Sequence, residues 1–288
     1  MITYSTGELK PKLKEMWKLC FGDNDEFIQF YFDKIYRNDN TLVLLLENGF
    51  PAASLQILPY QIKISNSIYD AGYISGAMTH PEHRNKGYMK QLLNTAFEEM
   101  KKQAFTFSFL IPQEDWLFDF YIQYGYEKAF PQSIQMIHPE ENIIDYSSIE
   151  IYRDFKNFPV CEIYHLYSAF LNQKENVVLK TQDQLKLIVE DLFIEGGYFF
   201  YIKQKGLAFV VRNGNNAVVK EIFYNEHELQ QILLATIQHT LQSHKIMIWN
   251  NDSIDGISRF YGMIKVLDTS KFTQAIPKDF YMSILPGY

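Results

Sequence analysis

Cysteine is nearly absent from this 288-residue chain. Its two cysteines, Cys20 and Cys161, stand far apart, each in an apolar, helix-like context. That excludes a disulfide framework, argues against a thiolate zinc site and reads as two buried free thiols. A basic excess is missing too. Lys and Arg number 27 against 34 Asp and Glu, for a formal charge of -7, so the basic face of a general nucleic-acid binder is not expected. No long apolar run occurs either. The N-terminus lacks the apolar core of a signal peptide, and no stretch reaches the length of a membrane span. The expectation is a soluble, cytoplasmic protein with no membrane or nucleic-acid partner, in which the sequon at Asn251 to Ser253 means nothing. Apolar residues are plentiful: 47% hydrophobic and 16% aromatic, enough for a packed core in one large or two modest domains.

Periodicity supplies the elements. Residues 6–21, with Ser5 or Thr6 as N-cap, and 23–36 read as helices. Residues 41–46 form an apolar strand, and 52–64 and 68–79 alternate as a hairpin about Ser65 to Ser67. Met89, Leu92, Leu93, Ala96, Phe97 and Met100 hold the spacing of an amphipathic helix. A strand over 105–111, a helix over 115–124 stopped by Gly125, and a strand-rich 126–137 follow. His138 to Ser148 is polar and turn-rich and reads as a linker. Beyond it come helices over 159–171 and 182–194, strands over 198–203, 207–212 and 217–224, a helix over 227–243 and a strand over 246–249. "ISRFYGM", Ile257 to Met263, echoes "FDFYIQYGY", Phe118 to Tyr126. The order therefore repeats as two helices, three strands, helix, strand, helix, strand, which suggests a tandem duplication.

The stretch "HPEHRNKGYMKQLL", His80 to Leu93, has three readings. As an anion cradle, the start of a helix offers unpaired N–H groups and a positive dipole end. Gly87 would let the backbone approach a phosphate, with Arg84, Lys86 and Lys90 around the rim. As a metal site it would use His80, Glu82 and His83, but Pro81 splits them and the spacing is not that of a standard zinc motif; no metal is expected. The third reading is a solvated polar loop.

Arg84–Asn85–Lys86–Gly87–Tyr88–Met89 fills the R-x-x-G-x-(G/A) slot after a strand and before a long helix, with Met89 departing from the usual small residue. "FYIQYGYE" places Phe120, Tyr121, Gly125 and Tyr126 in a late F-Y-x-x-x-G-F/Y segment. By these two motifs, residues 40–130 resemble the GCN5-related N-acetyltransferase family, and the two-part layout is similar to its enhanced-intracellular-survival type. The resemblance implies an α+β fold of tandem acyl-CoA N-acyltransferase-like domains, each a mixed, mostly antiparallel sheet flanked by helices. One domain would span 1–140 and bind acetyl-CoA; a degenerate one, without a cofactor site, would span 148–288.

It also implies that Ala77, Met78 and Thr79 offer backbone groups to the pantetheine arm and that Arg84, Asn85, Lys86, Gly87, Tyr88, Met89 and Lys90 hold the pyrophosphate. The N–H near Met78 would polarise the thioester carbonyl under direct attack by an amine. Tyr121 would stand at the general-acid position, protonating the leaving thiolate. The base is open among Glu82, His80, His83 and Asp115, and Tyr288's carboxylate is not expected to reach the site. In the second half, Glu226 and Glu228 sit where cations would be needed. The implied function is acetyl-CoA-dependent acetylation of a primary amine on a small molecule or peptide. Phe27, Phe30, Tyr31 and Tyr36 with Asp23, Asp25 and Glu26 form either an amine cleft or an ordinary helical core with solvated acids. Alternatives are a silent acyl-CoA sensor and a tRNA-dependent transferase of cell-wall peptides, for which no basic groove is seen. The oligomeric state is left open.

Overall fold

The computed structural model describes residues 1–137, 148–250, 258–282 and 285. In chain order the elements are β1 Ile2–Tyr4, α1 Lys10–Phe21, α2 Asp25–Phe30, β2 Thr41–Leu45, β3 Pro51–Ile64, β4 Ser67–Thr79, α3 Tyr88–Lys102, β5 Phe107–Leu110, α4 Asp115–Ile122 and β6 Glu127–Ile137. Then follow β7 Ile149–Tyr152, α5 Val160–Gln173, β8 Asn176–Leu179, α6 Gln182–Ile194, β9 Tyr198–Ile202, β10 Gly206–Asn213, β11 Asn216–Tyr224, α7 His227–Leu241, β12 Ile246–Asn250 and β13 Ser258–Val266. This is the expected α+β arrangement. No helix among the described residues is long and apolar enough to cross a membrane.

The chain divides into two compact units that interleave along the sequence. One comprises Met1–Ala129 with Tyr261–Pro277, the other Phe130–Phe260 with Lys278–Tyr288. In the first, the strand order is β1-β2-β3-β4-β5-β13. β4 and β5 are parallel, and the other pairs are antiparallel. In the second, the order is β6-β12-β11-β10-β9-β7, with β11 and β12 parallel and the rest antiparallel. Each unit thus takes its outer strand beside the parallel pair from the other half of the sequence: β13 lies against β5, and β6 against β12.

In the first unit, α3 lays Leu92, Leu93, Ala96 and Met100, each wholly buried, against Leu55 and Ile57 of β3 and Leu110 of β5. Burying such a side chain contributes about 1.5–3 kcal/mol, so this one stripe fixes α3 on the sheet. In the second unit, Leu233, Leu234 and Ile237 of α7 cover Ala208, Val210 and Val219 in the same manner.

Some expectations change. Thr6 and Ser5 do not cap α1; the chain makes a turn at Thr6, whose carbonyl accepts from Leu9 and Lys10, and the helix starts at Lys10. The second helix ends at Phe30 and continues as a π-helical turn, Tyr31–Ile35, closed by Tyr36 N–H to Tyr31 O at 2.9 Å. The segment read as a helix by its echo of "FDFYIQYGY" is instead strand β13 from Ser258. Its glycine follows the tyrosine directly, Tyr261–Gly262, so the extra residues that form the last turn of α4 are missing. Cys161 is exposed and Cys20 only half-buried, so neither is a fully buried thiol. Residues 138–147 of the expected linker, the sequon at 251–253 and Tyr288 lie outside the described residues.

Candidate active site

The site of the first unit begins where two parallel strands part. β4 pairs with β5 only at Ala71, Gly72 and Tyr73, then continues alone on that side from Ile74 to Thr79. The register against β3 shifts between Ser54 and Gln56. Gly76, opposite this bulge, takes φ 54°. A Cβ there would come within 2.6 Å of the Trp17 ring. Left-handed backbone and tight contact both require glycine, and bulges of this kind turn a strand away from its neighbour. The free edge of β4 therefore presents the backbone of Ala77 and Thr79 where no strand pairs with it. Met78, between them, pairs with Ser54 of β3, which turns its backbone groups away from the free edge, and its side chain is buried.

The stretch from His80 to Leu93 follows that edge. His80 to His83 makes a 3-10 turn, and the chain then passes two left-handed residues, Asn85 at φ 61° and Gly87 at φ 74°, before α3 starts. Alternation of this kind gathers successive N–H groups into a concavity for an anion. Gly87 is the N-cap of α3, and no side chain caps the helix. The N–H groups of Tyr88, Met89 and Lys90 precede the first helical bond, Gln91 N–H to Gly87 O at 3.2 Å. Space around Gly87 is open: nothing lies within 4 Å of an added Cβ. The residues present fit a pyrophosphate: backbone donors at a helix start, with exposed Arg84, Lys86 and Lys90 beside them. Met89, the departure from the motif, tucks against the core and does not fill the loop.

Two details were not legible in the sequence. Arg84 Nε donates to Thr79 O at 3.3 Å, and Cys20 Sγ reaches the same oxygen at 3.4 Å. The carbonyl expected to serve pantetheine is thus tied to the cradle's arginine. Burial pushes the Cys20 thiol up, with Arg84 opposing it. Lys86 Nζ turns back to Glu82 O at 3.3 Å and His83 Nδ1 at 3.2 Å.

Tyr121 projects from the inner face of α4, 7% exposed. It packs edge-on against Phe120 at 5.2 Å and Tyr126 at 5.8 Å. Tyr126 in turn meets Ser108 of β5 through its hydroxyl at 2.6 Å, and its burial raises its pKa strongly. Glu82 and Asp115 are exposed, at the turns after β4 and β5. The ligand atoms of His80, Glu82 and His83 lie within 4.8 Å of one another. Two of the ring nitrogens are already engaged, His80 Nδ1 by the Glu82 N–H and His83 Nδ1 by Lys86.

Three of the four N-terminal aromatics are core residues. Phe30, Tyr31 and Tyr36 are buried; the Tyr31 ring packs tilted against Trp17 at 4.3 Å and its hydroxyl bonds Ser75 at 2.6 Å. Phe27 remains half-buried. Asp23 accepts from the Trp17 indole at 2.7 Å, and Asp25 pairs with Lys18 at 2.6 Å.

The second unit repeats the parting strands. β11 pairs with β12 at Ala217, Val218 and Val219, then runs on from Lys220 to Tyr224. No left-handed residue precedes α7 among the described residues of that turn, and its N-cap is Glu226, with Glu228 in the first turn. His227, His239 and His244 are exposed.

Residues 2–129 match the family model described as acetyltransferase (GNAT) domain. Solved structures agree in fold. A GCN5-related N-acetyltransferase from Anabaena variabilis is 17% identical, with a TM-score of 0.75 over 94% of this chain and 74% of that one. A probable N-acyltransferase from Enterococcus faecalis is 15% identical, TM-score 0.73, over 96% and 75%. Eis1 from Mycobacterium abscessus is 12% identical, TM-score 0.68, over 94% and 75%. No curated protein matches the sequence. The likeness to a GNAT acetyltransferase domain covers residues 2–129, which lie in the first unit.

Proposed function

We propose that the first unit is a GNAT acetyltransferase domain, an acetyl-CoA-dependent N-acetyltransferase acting on a primary amine of a small molecule or peptide, and that the second unit is a related, diverged copy. The observation that carries the reading is the uncapped, left-handed turn at Asn85 and Gly87 placed at the end of a free strand edge. Acetyl-CoA supplies the activated acyl group as a thioester. The cradle from Arg84 to Lys90 holds its pyrophosphate through main-chain N–H groups, and the edge from Ala77 to Thr79 aligns the pantetheine arm by strand-like hydrogen bonds. The acceptor nitrogen forms its bond to the acyl carbon as the carbon–sulfur bond breaks. The proton on nitrogen leaves to a base, and the thiolate receives one from the Tyr121 phenol. Its ring is held in place by Phe120 and Tyr126.

The test is acetyl transfer to a panel of primary amines, followed by release of free thiol. Turnover is expected, and Tyr121→Phe should lower kcat roughly a hundredfold with little change in KM for acetyl-CoA. Binding of acetyl-CoA without turnover on any amine would leave the protein a silent acyl-CoA-binding module. Equal kcat in Tyr121→Phe would reduce that residue to packing.

A further inference from the structure

Strand β13 puts a lysine where the pattern of its face calls for an apolar residue. Side chains alternate across a strand, so Met263, Lys265 and Leu267 share one face. Met263 and Leu267 belong to the apolar cluster that holds Tyr121 and Tyr126. Lys265, between them, is half-buried. Burial, with Lys101 adding repulsion, lowers the pKa of its ammonium, so the charge is held here against a cost.

What engages it is the end of the helix that carries Tyr121. Lys265 Nζ donates to Tyr124 O at 2.7 Å and lies 5.0 Å from the centre of the Phe97 ring. Carbonyls at a helix end lack partners within the helix and form its negative pole, which an ammonium complements. Gly125 takes φ 80°, and a Cβ there would stand 2.7 Å from the Nζ, so glycine makes room for both the turn and the ammonium. Within that turn the Tyr121 carbonyl accepts from the Tyr124 N–H at 2.9 Å and from the Tyr126 N–H at 3.4 Å. The ammonium therefore closes a loop of backbone that begins at Tyr121 itself. A second link runs through the sheet. Lys265 stands opposite Ser108 of β5, whose hydroxyl meets that of Tyr126 at 2.6 Å, and the Tyr126 ring packs edge-on against Tyr121 at 5.8 Å.

We propose that Lys265 is a positioning residue for acetyl transfer: by closing the turn at Tyr124 it fixes the direction of the Tyr121 phenol. The proposal rests on the acid role given to Tyr121 above. A strand that follows the helix by 141 residues in the sequence then shares in aligning the site of the first unit.

The experiment uses the full chain and two readouts. Lys265→Met keeps an unbranched stem on the core face and removes the ammonium. It should lower kcat roughly tenfold while KM for acetyl-CoA stays within about twofold. In a Tyr121→Phe background the same substitution should change kcat by less than about twofold, because its effect passes through the phenol. A merely structural role would lower kcat equally in both backgrounds, and that result overturns the proposal, as does unchanged kcat in folded Lys265→Met. The second readout needs no turnover. With 3-fluorotyrosine placed at position 121 alone, the fluorine resonance should shift or broaden in Lys265→Met; an unchanged resonance overturns the proposal. Should the wild type turn over no amine, or Tyr121→Phe keep full kcat, the catalytic reading has failed, and the resonance alone decides whether Lys265 holds Tyr121. Lys265→Gln, too short to reach Tyr124 in the same way, is read by the same criteria if Lys265→Met does not fold.

Discussion

β4 leaves β5 after Tyr73, and β11 leaves β12 after Val219, each after three parallel pairs. From there the two gaps differ in every residue that decides chemistry. Along the first, Gly76 bends the strand and Ser75 bonds Tyr31, and the strand runs into Asn85, Gly87 and three cations. Along the second, Ile222 stands at the position of Gly76, Glu221 at that of Ser75, and the strand runs into Glu226 and Glu228. The backbone plan sets where a ligand can enter. Its class is set by a handful of side chains and by whether glycine is present for a left-handed turn.

The largest expected effect lies in the second unit. Lys180 is buried near Glu221, and burial lowers its pKa from 10.5 to about 7 against the pull of Glu221. Below pH 7 the folded and unfolded chains are both protonated there, and the burial penalty is fully present. Between pH 7 and the unfolded value of 10.5, only the unfolded chain holds the proton, so raising the pH favours the fold. The rise is at most about 5 kcal/mol over the whole window. Urea unfolding at pH 7 and pH 9 should show higher stability at pH 9, and Lys180→Met should flatten the slope. An unchanged slope in the variant would place the titration elsewhere.

In the first unit, Gly76→Ala should destabilise by about 1–3 kcal/mol, because it combines a left-handed φ with the Trp17 contact. Its counterpart Ile222→Ala should cost about 1 kcal/mol, the loss from a half-buried side chain. Thermal melts of the two variants compare the gaps directly, and equal losses would mean that the bend at Gly76 is not special. Arg84→Ala should weaken acetyl-CoA roughly tenfold, through lost charge and a freed Thr79 carbonyl. Glu228→Gln, at the matching helix start, should change stability by under about 0.5 kcal/mol and leave acetyl-CoA binding alone.

Local pattern carried most of this fold. The stripe of α3, the β3–β4 hairpin and α6, found at Gln182–Ile194 as expected, are each specified by side chains within one segment. The turn before α3 was legible for the same reason: glycine, cations and a helix start lie close together in the sequence. The features that escaped depend on distant partners. β13 was mistaken for a helix because its resemblance to "FYIQYGY" was judged by residue type, while its role is set by pairing with Phe107–Leu110 far upstream. The short strands β1, β7 and β8 hold three or four residues each, too few to show a period. Gly76 reads as one small residue among Ser75, Gly76 and Ala77 until Trp17 is brought against it. The charge at Glu221 gave no signal, since "VVKEIFY" looks like any alternating strand until the opposing tyrosines are in place.

The most direct test of the central claim is calorimetric titration of acetyl-CoA into the wild-type protein and into Gly87→Glu. Open space around Gly87 means that the substitution adds negative charge and a strained φ without a steric clash. Micromolar binding by the wild type that weakens more than roughly a hundredfold in the variant is the predicted result. Equal binding by both, or none by the folded wild type, would contradict it.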